Sequence, residues 1–181
     1  MIRWVGVHQR RVIEDILDTG DKPEYLKHPW ALISICSYPE RKLIKSEKEE
    51  EALRKAGCHN ALTVYFGDFT VDSYHAMRES YSEKQWRKII LFDEQMARDI
   101  IEFIDKINKM AIPVLIVHCQ AGVSRSGAVG TYTMRFLGLD EKFFREVHEK
   151  YINPNPHVYD TLCKISPLKG EYERFWENPK E

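Results

Sequence analysis

Three short apolar runs stand out along the chain, each bounded by proline, glycine or polar residues. They are rich in the β-branched and aromatic residues that favour extended structure, and runs this short suit strands better than helices. The pattern therefore predicts three buried strands: ALISICSY (31–38), ALTVYF (61–66) and VLIVHC (114–119).

The segments between these runs carry helix signals. Ser46, with Glu49 in the same turn, predicts an N-terminal capping box, and Gly57 predicts the end of that helix. Asp93 is the predicted N-cap of a longer helix, because the apolar residues that follow it lie on one helical face. That face consists of Met96, Ile100, Phe103, Ile104 and Ile107. Three more helices are predicted, over 127–137, from Asp140 to about 151, and over 158–165.

Strands that alternate with helices indicate an α/β fold, with a central, mainly parallel sheet flanked by helices. No linker, repeat or low-complexity segment divides the chain, so we predict a single domain over residues 1–181. In such sheets, ligands bind beyond the carboxyl ends of the strands. His118 and Cys119 end the most apolar of the predicted strands, and we expect the functional site there.

Composition and charge exclude several classes of function. A formal net charge of -1, from 27 Lys and Arg against 28 Asp and Glu, leaves no basic surplus for a nucleic-acid partner. The first twenty residues contain no apolar stretch long enough for a signal peptide or a membrane span. The four cysteines lack CxxC spacing, and no Cys/His spacing is typical of a zinc site. We therefore expect a cytoplasmic protein with reduced thiols and with no membrane partner and no bound metal.

The segment HCQAGVSRSG (118–127) joins the third predicted strand to a predicted helix. Its two glycines allow the loop to curl, so that backbone N–H groups and the positive end of the helix dipole converge on one anion. Arg125 adds a planar fork of donors suited to two phosphate oxygens, and the same positive field favours the thiolate form of Cys119. A tetrahedral oxyanion held there would have its phosphorus next to a sulfur nucleophile. This arrangement suits covalent phosphoryl transfer.

HCQAGVSRSG resembles the His-Cys-x5-Arg-Ser/Thr signature of cysteine-based protein tyrosine and dual-specificity phosphatases, and a looser similarity extends over residues 30–165. The resemblance implies a dual-specificity-phosphatase-like hydrolase that works through a phosphocysteine intermediate, without cofactor or metal. Cys119 is then the nucleophile and Arg125 the phosphate clamp, while Ser126 assists the departure of the sulfur and His118 orders the loop. The phosphate-binding amides are those of Gln120, Ala121, Gly122, Val123, Ser124 and Arg125.

Two other classes share part of this pattern. A rhodanese-type persulfide enzyme also has a cysteine on an anion-binding loop, but it gives no reason for Ser126 or for a catalytic acid. A non-catalytic phosphate-binding adaptor on the same fold would typically have lost the thiol or the arginine, and this chain has both. The adaptor stays open as the alternative function.

The family also uses an aspartate on a mobile loop to protonate the leaving oxygen. Asp68 and Asp72 both follow the predicted strand 61–66. The long segment 72–91 explains the wide gap to Cys119 only if the acid precedes that segment. We therefore predict Asp68 as the general acid, with Asp72 as the alternative.

The interior of the signature loop contains no lysine, whereas relatives that act on inositol phospholipids often have basic residues there. The resemblance therefore implies a phosphorylated protein as substrate, with phosphotyrosine preferred and phosphoserine or phosphothreonine accepted less well. A non-protein phosphate such as a phosphoinositide is the alternative.

Two features depart from the compact family pattern or extend it. The segment 72–91 is longer than usual, and we interpret it as a solvated amphipathic helix that packs Trp86 and Ile90 on the core. The alternative is that it borders the cleft and grips a phosphopeptide. Cys36 ends the first predicted strand, and some relatives pair such a cysteine with the oxidised nucleophile; we favour a buried structural thiol.

Overall fold

The computed structural model describes residues 1–37, 43–44 and 46–169. In this part of the chain a four-stranded sheet has the order β1-β4-β2-β3, and each neighbouring pair of strands is parallel. The strands are β1 (Trp4–Gln9), β2 (Trp30–Cys36), β3 (Cys58–Tyr65) and β4 (Val114–Cys119). The predicted α/β class with a parallel central sheet is confirmed.

Helices cover both faces of this sheet. They are α1 (Arg10–Thr19), α2 (Glu47–Lys55), α3 (Val71–Met77), α4 (Glu83–Trp86), α5 (Glu94–Lys109), α6 (Arg125–Phe136), α7 (Glu141–His148) and α8 (Pro156–Ile165), with 3-10 turns at Glu24–Lys27 and Arg78–Ser80. Helices α5, α6 and α8 share one apolar core with the sheet, and α1 and α2 share a second core on the other face. Within the described residues, no helix is both long enough and apolar enough to cross a membrane.

The central strands are buried on both faces, which explains why they read as continuous apolar runs. Every residue of β2 and of β4 is buried. Along β2, Ile33 and Ile35 pack in the core with α5 and α6, whereas Leu32 packs in the core with α1 and α2. In the observed register Ser34 stands opposite His118, so the carboxyl ends of β2 and β4 lie at the same edge of the sheet.

Strand β1 is not predicted by the apolar pattern. Gly6 has low strand propensity, and the polar residues His8 and Gln9 break the run. The strand forms because β4 offers it a complete parallel partner, with Gln9 opposite Cys119. As a result, helix α1 begins beside the signature loop, a neighbour that local sequence signals do not reveal.

The predicted caps are partly confirmed. The carboxylates of Asp93 and Asp140 each accept the backbone N–H of the third residue of the helix that follows, at 2.9 and 3.2 Å. Ser46 stands at the N-cap of α2, but its hydroxyl donates to the Glu49 carboxylate at 2.6 Å and caps no backbone N–H. The predicted N-cap position of Ser46 is therefore confirmed, whereas the predicted capping box is wrong.

The segment 72–91 is not a single amphipathic helix, so that prediction is wrong. It consists of α3, a 3-10 turn and the short α4. Trp86 is half-buried, but it packs on Tyr74, with ring centroids 4.4 Å apart, and so belongs to a local aromatic cluster. Ile90 is 42% exposed, and its neighbour Ile89 is the buried residue.

Candidate active site

The signature loop leaves the carboxyl end of β4 at Cys119 and enters helix α6 at Arg125. The outer carbonyls of Gln120, Val123 and Ser124 accept hydrogen bonds from backbone N–H groups elsewhere in the chain, at 3.3, 3.2 and 3.2 Å. In a trans peptide the C=O and the next N–H point in opposite directions. The N–H groups that follow these three carbonyls therefore point away from those donors, as the predicted anion-binding loop requires.

Gly122 explains how tightly this loop is held. Its φ of +73° lies in the left-handed region that favours glycine. A Cβ at this position would lie 2.4 Å from the backbone N of Gln9 and 2.8 Å from the carbonyl oxygen of His8. The loop therefore packs directly on the β1–α1 junction, and no side chain fits between them.

Cys119 lies at the base of the loop with only 2% of its surface exposed. Its Sγ is 3.1 Å from the hydroxyl oxygen of Ser126, which is fully buried in the first turn of α6. The positive, N-terminal end of this twelve-residue helix therefore lies beside the sulfur. The structure thus brings the predicted nucleophile and the predicted hydroxyl donor together.

Arg125 is 5% exposed and, at the end of the signature loop, lines a cleft beside that loop. Its Nη1 donates to the carbonyl oxygen of Phe66 at 3.2 Å. This bond fixes the guanidinium plane from the side of β3. A bidentate clamp needs such a fixed orientation, because both donors must meet two oxygens of the same phosphoryl group.

The two candidate acids differ in their position relative to the cleft. Asp68 borders the same cleft, and its Oδ1 accepts hydrogen bonds from the Ser124 hydroxyl at 2.7 Å and from the Asn155 amide at 2.9 Å. Asp72 is exposed in the first turn of α3 and does not line the cleft. Of the two, only Asp68 is attached to the signature loop.

No protein-family model matches this sequence, and no curated protein matches it. Solved structures do. The human tyrosine phosphatase-like serine/threonine/tyrosine-interacting protein matches over 82% of this chain and 84% of its own, at 21% identity and a TM-score of 0.50. The chain has the tyrosine phosphatase-like fold. Tk-PTP in its active form covers 94% of this chain and 84% of its own, at 17% identity and a TM-score of 0.45. PTPMT1 in complex with PI(5)P covers 89% and 88%, at 14% identity and a TM-score of 0.49.

On this phosphatase-like fold the segment 72–91 forms one wall of the cleft, which has a volume of about 600 Å³. Tyr81, Ile89 and Ile90 of this segment line the cleft together with Phe69 and Arg125. This position agrees with the alternative interpretation, in which the segment 72–91 borders the cleft. Phe69 and three rings of the segment, Tyr74, Trp86 and Tyr81, form a row in which successive ring centroids are 4.4 to 6.1 Å apart.

His118 lies behind the signature loop and is fully buried. Its Nε2 is 2.9 Å from the Ser34 hydroxyl oxygen, on the strand next to its own. Burial, which disfavours the charged ring, lowers the pKa of His118 to about 4. His118 therefore stays neutral at physiological pH, and its role as the residue that orders the loop remains a prediction.

The buried imidazole of His118 makes stability depend on pH. Because its folded-state pKa of about 4 lies below the ordinary value of 6.5, the unfolded chain binds the proton first as pH falls. The contribution of this group to the free energy of unfolding is fully present above pH 6.5. It falls as the pH decreases, and the loss reaches on the order of 3 kcal/mol by about pH 4. Urea unfolding between pH 7 and pH 4 should show this decline. The variant His118→Asn, which does not titrate at this position, should make the decline shallower without abolishing it, because burial also lowers the pKa of His8 to about 4 and lowers the pKa of His148. An unchanged slope would contradict the assignment.

Cys36 and Cys119 lie on opposite faces of the sheet. The Sγ of Cys36 is 3.8 Å from the hydroxyl oxygen of Ser34, on the face of β2 that also meets His118. Cys119 packs instead in the core that contains Ile35. Neither Cys36 nor Cys119 forms a disulfide, and this geometry favours Cys36 as a buried structural thiol over pairing with the nucleophile.

Two contributors to the site are absent from the sequence prediction. Phe66 supplies a main-chain carbonyl, which no side-chain motif reveals. Asn155 is only 5% exposed and bonds to Asp68 across the site. The sequence marks the NPNP segment (153–156) that contains it as the break before the last helix, where an Asn before Pro is a typical N-cap, but this pattern assigns Asn155 no role at the site.

Proposed function

We propose that this protein is a cysteine-dependent phosphomonoesterase that acts on phosphotyrosine-containing proteins through a phosphocysteine intermediate. The observation that carries the proposal is the convergence of three groups on one loop. Cys119 lies at its base, Arg125 lies at its rim, and Asp68 is hydrogen-bonded to its Ser124 hydroxyl. A phosphate-binding adaptor would need the cradle, but it would need neither a sulfur at its base nor an acid at its rim.

The first step of the proposed reaction transfers the phosphoryl group to sulfur. The Cys119 thiolate attacks phosphorus and forms an S–P bond while the P–O bond to the substrate breaks. The leaving oxygen takes a proton from Asp68, which becomes a carboxylate. Arg125 and the loop amides stabilise the charge on the three equatorial oxygens as it develops.

The second step returns the enzyme to its starting state. A water attacks phosphorus, gives its proton to the Asp68 carboxylate, and the S–P bond breaks to release inorganic phosphate and the thiolate. The Ser126 hydroxyl, 3.1 Å from the sulfur, donates a hydrogen bond to the departing thiolate. The cycle needs no metal or cofactor. A free thiol at its centre supports the reducing cytoplasm as its place of action.

Ser126→Ala should slow breakdown of the phosphoenzyme more than its formation. The hydroxyl stabilises the sulfur most when the sulfur carries full negative charge as a leaving group, which happens in the second step. Rapid-quench burst kinetics should therefore show a burst of near-normal amplitude followed by a steady rate reduced about tenfold. An unchanged ratio between the two rates would count against this role.

The cleft supports an aromatic phosphoester as substrate. Phe69, Ile89 and Ile90 give it apolar walls beside Arg125, and these walls suit the ring of a phosphotyrosine held by its phosphate. A serine or threonine phosphate is shorter by the length of that ring. It would reach the loop without filling the cleft, so it should bind less well.

A substrate panel tests the proposal. Wild-type protein in the presence of a chelator is offered para-nitrophenyl phosphate, matched phosphotyrosine and phosphoserine peptides, and a phosphoinositide in detergent. We expect turnover of the first two, with kcat/KM for the phosphotyrosine peptide at least about tenfold above that for the phosphoserine peptide. A clear preference for the phosphoinositide would overturn the substrate class. Tight binding without turnover would favour the adaptor.

Asp68→Asn should lower kcat for phenyl phosphate about a hundredfold or more, because the variant cannot protonate the leaving oxygen. It should affect a good leaving group such as dinitrophenol far less, and it should remove the alkaline limb of the profile of turnover against pH. Substrate binding should persist. Asp72→Asn is the matched control, since Asp72 lies outside the cleft. If Asp72→Asn has these effects and Asp68→Asn does not, the assignment is wrong.

A further inference from the structure

Asn155 connects three parts of the candidate site. Its side-chain nitrogen donates to Oδ1 of Asp68 at 2.9 Å and to the carbonyl oxygen of Phe69 at 3.3 Å. Its side-chain oxygen accepts the N–H of Val158 at 3.1 Å and so caps helix α8. Its own backbone N–H donates to the carbonyl oxygen of Ser124 at 3.2 Å. With 5% exposure, this side chain has little freedom to leave these partners.

We propose that Asn155 is a positioning residue that selects which oxygen of Asp68 carries the catalytic proton. The proposal rests on the function proposed above and adds a residue to it. The amide of Asn155 and the hydroxyl of Ser124 both donate to Oδ1 of Asp68. An oxygen that accepts two donors is disfavoured as the protonated one, since a proton there would face two other hydrogens. Oδ2 therefore holds the proton and delivers it to the leaving oxygen.

The same two bonds favour the reaction energetically. When Asp68 gives up its proton it becomes a carboxylate, and its hydrogen bonds from Asn155 and Ser124 become charge-assisted. They are stronger in the transition state than in the ground state, and only such a difference accelerates the chemical step. Asn155 thus acts through Asp68 and touches neither the phosphoryl group nor the sulfur.

Helix capping alone does not account for asparagine at this position. The cap uses only the side-chain oxygen, and an aspartate caps a helix equally well. The N–H donor is used instead on Asp68 and on the carbonyl of Phe69, which flank the same turn of chain. Substitution by aspartate therefore removes the donor and keeps size, shape and cap, but it also places a second carboxyl group next to Asp68. Asn155→Ser removes the donor without that charge, so a loss shared by both variants separates the donor from the cap.

The test compares Asn155→Asp with the wild-type protein on phenyl phosphate and on 2,4-dinitrophenyl phosphate. We expect kcat/KM for phenyl phosphate to fall about tenfold and that for the dinitrophenyl ester to change less than about twofold, since only the former needs the proton. In an Asp68→Asn background the Asn155→Asp change should produce no further loss on phenyl phosphate. Asn153→Asp is the matched control, because Asn153 is exposed two residues away and the change adds the same charge. It should leave both rates unchanged.

The outcomes separate this inference from the function on which it rests. A wild-type protein that turns over neither ester would overturn the proposed function. If the wild-type protein is active and Asn155→Asp loses activity equally on both esters, or on neither, only the proposed role of Asn155 is overturned. Thermal unfolding checks that the variant is folded. If it is not, Asn155→Ser keeps a helix-capping oxygen with a side chain too short to reach Asp68, and the same split between the two esters is expected.

Discussion

Cys119→Ser should reduce turnover of para-nitrophenyl phosphate by at least about 10⁴-fold, the largest loss that any single substitution in this chain should cause. A serine hydroxyl at this position would remain protonated at neutral pH, and its oxygen is a far weaker nucleophile than a thiolate. The change is nearly isosteric and the site is 2% exposed, so the loop should keep its shape. The hydrogen-bond partner Ser126 also stays in place.

Binding separates a chemical effect from a structural one in this experiment. Inorganic phosphate should bind the Cys119→Ser variant as well as it binds the wild-type protein, because the cradle consists of main-chain N–H groups and Arg125. Isothermal titration calorimetry gives that comparison. Cys163→Ser, at a half-buried thiol in α8, is the matched control and should retain full turnover. Substantial turnover by Cys119→Ser would mean that another group attacks phosphorus.

The parts of the site that could be predicted from the sequence are those that depend on neighbours along the chain. The run of apolar residues in β4 predicts a strand because it needs only burial on both faces. A helix follows the loop after β4, so the helix dipole and the loop amides can both be predicted from the order of the elements along the chain. The cap at Asp93 likewise involves residues within one turn. These features need no knowledge of the tertiary structure.

The parts that could not be predicted depend on contacts between distant segments. β1 exists because β4 supplies its partner, and its own pattern is too weak to indicate a strand. Ile89 rather than Ile90 is buried, and the apolar pattern, in which the two residues are adjacent, does not distinguish them. Spacing along the chain favours Asp68 over Asp72, but the two hydrogen bonds that attach Asp68 to the site span 56 and 87 residues, and local sequence signals do not reveal them.

Arg125→Lys should lower kcat by at least about a hundredfold, equivalent to about 2.7 kcal/mol of transition-state stabilisation. Lysine keeps the positive charge and much of the length, so any large loss must come from geometry. The guanidinium offers a planar fork that can meet two phosphoryl oxygens while another of its N–H groups remains on the carbonyl oxygen of Phe69, at 3.2 Å. An ammonium group is a point charge and cannot hold both partners in one plane. It would either leave the carbonyl without its donor or turn away from the phosphate.

A second buried arginine shows whether such a loss is specific to the site. Arg135 is 3% exposed and bonds to the Tyr159 hydroxyl at 2.9 Å and to Glu141, away from the cleft. Arg135→Lys should lower the melting temperature and leave kcat close to the wild-type value. Arg125→Lys should do the reverse, with the loss in kcat rather than in KM, because the fork matters most where charge develops on the transferring group. Near-native kcat in Arg125→Lys would mean that Arg125 has only a structural role, as the contact between α6 and the carbonyl of Phe66. The clamp would then have to come from the loop amides alone.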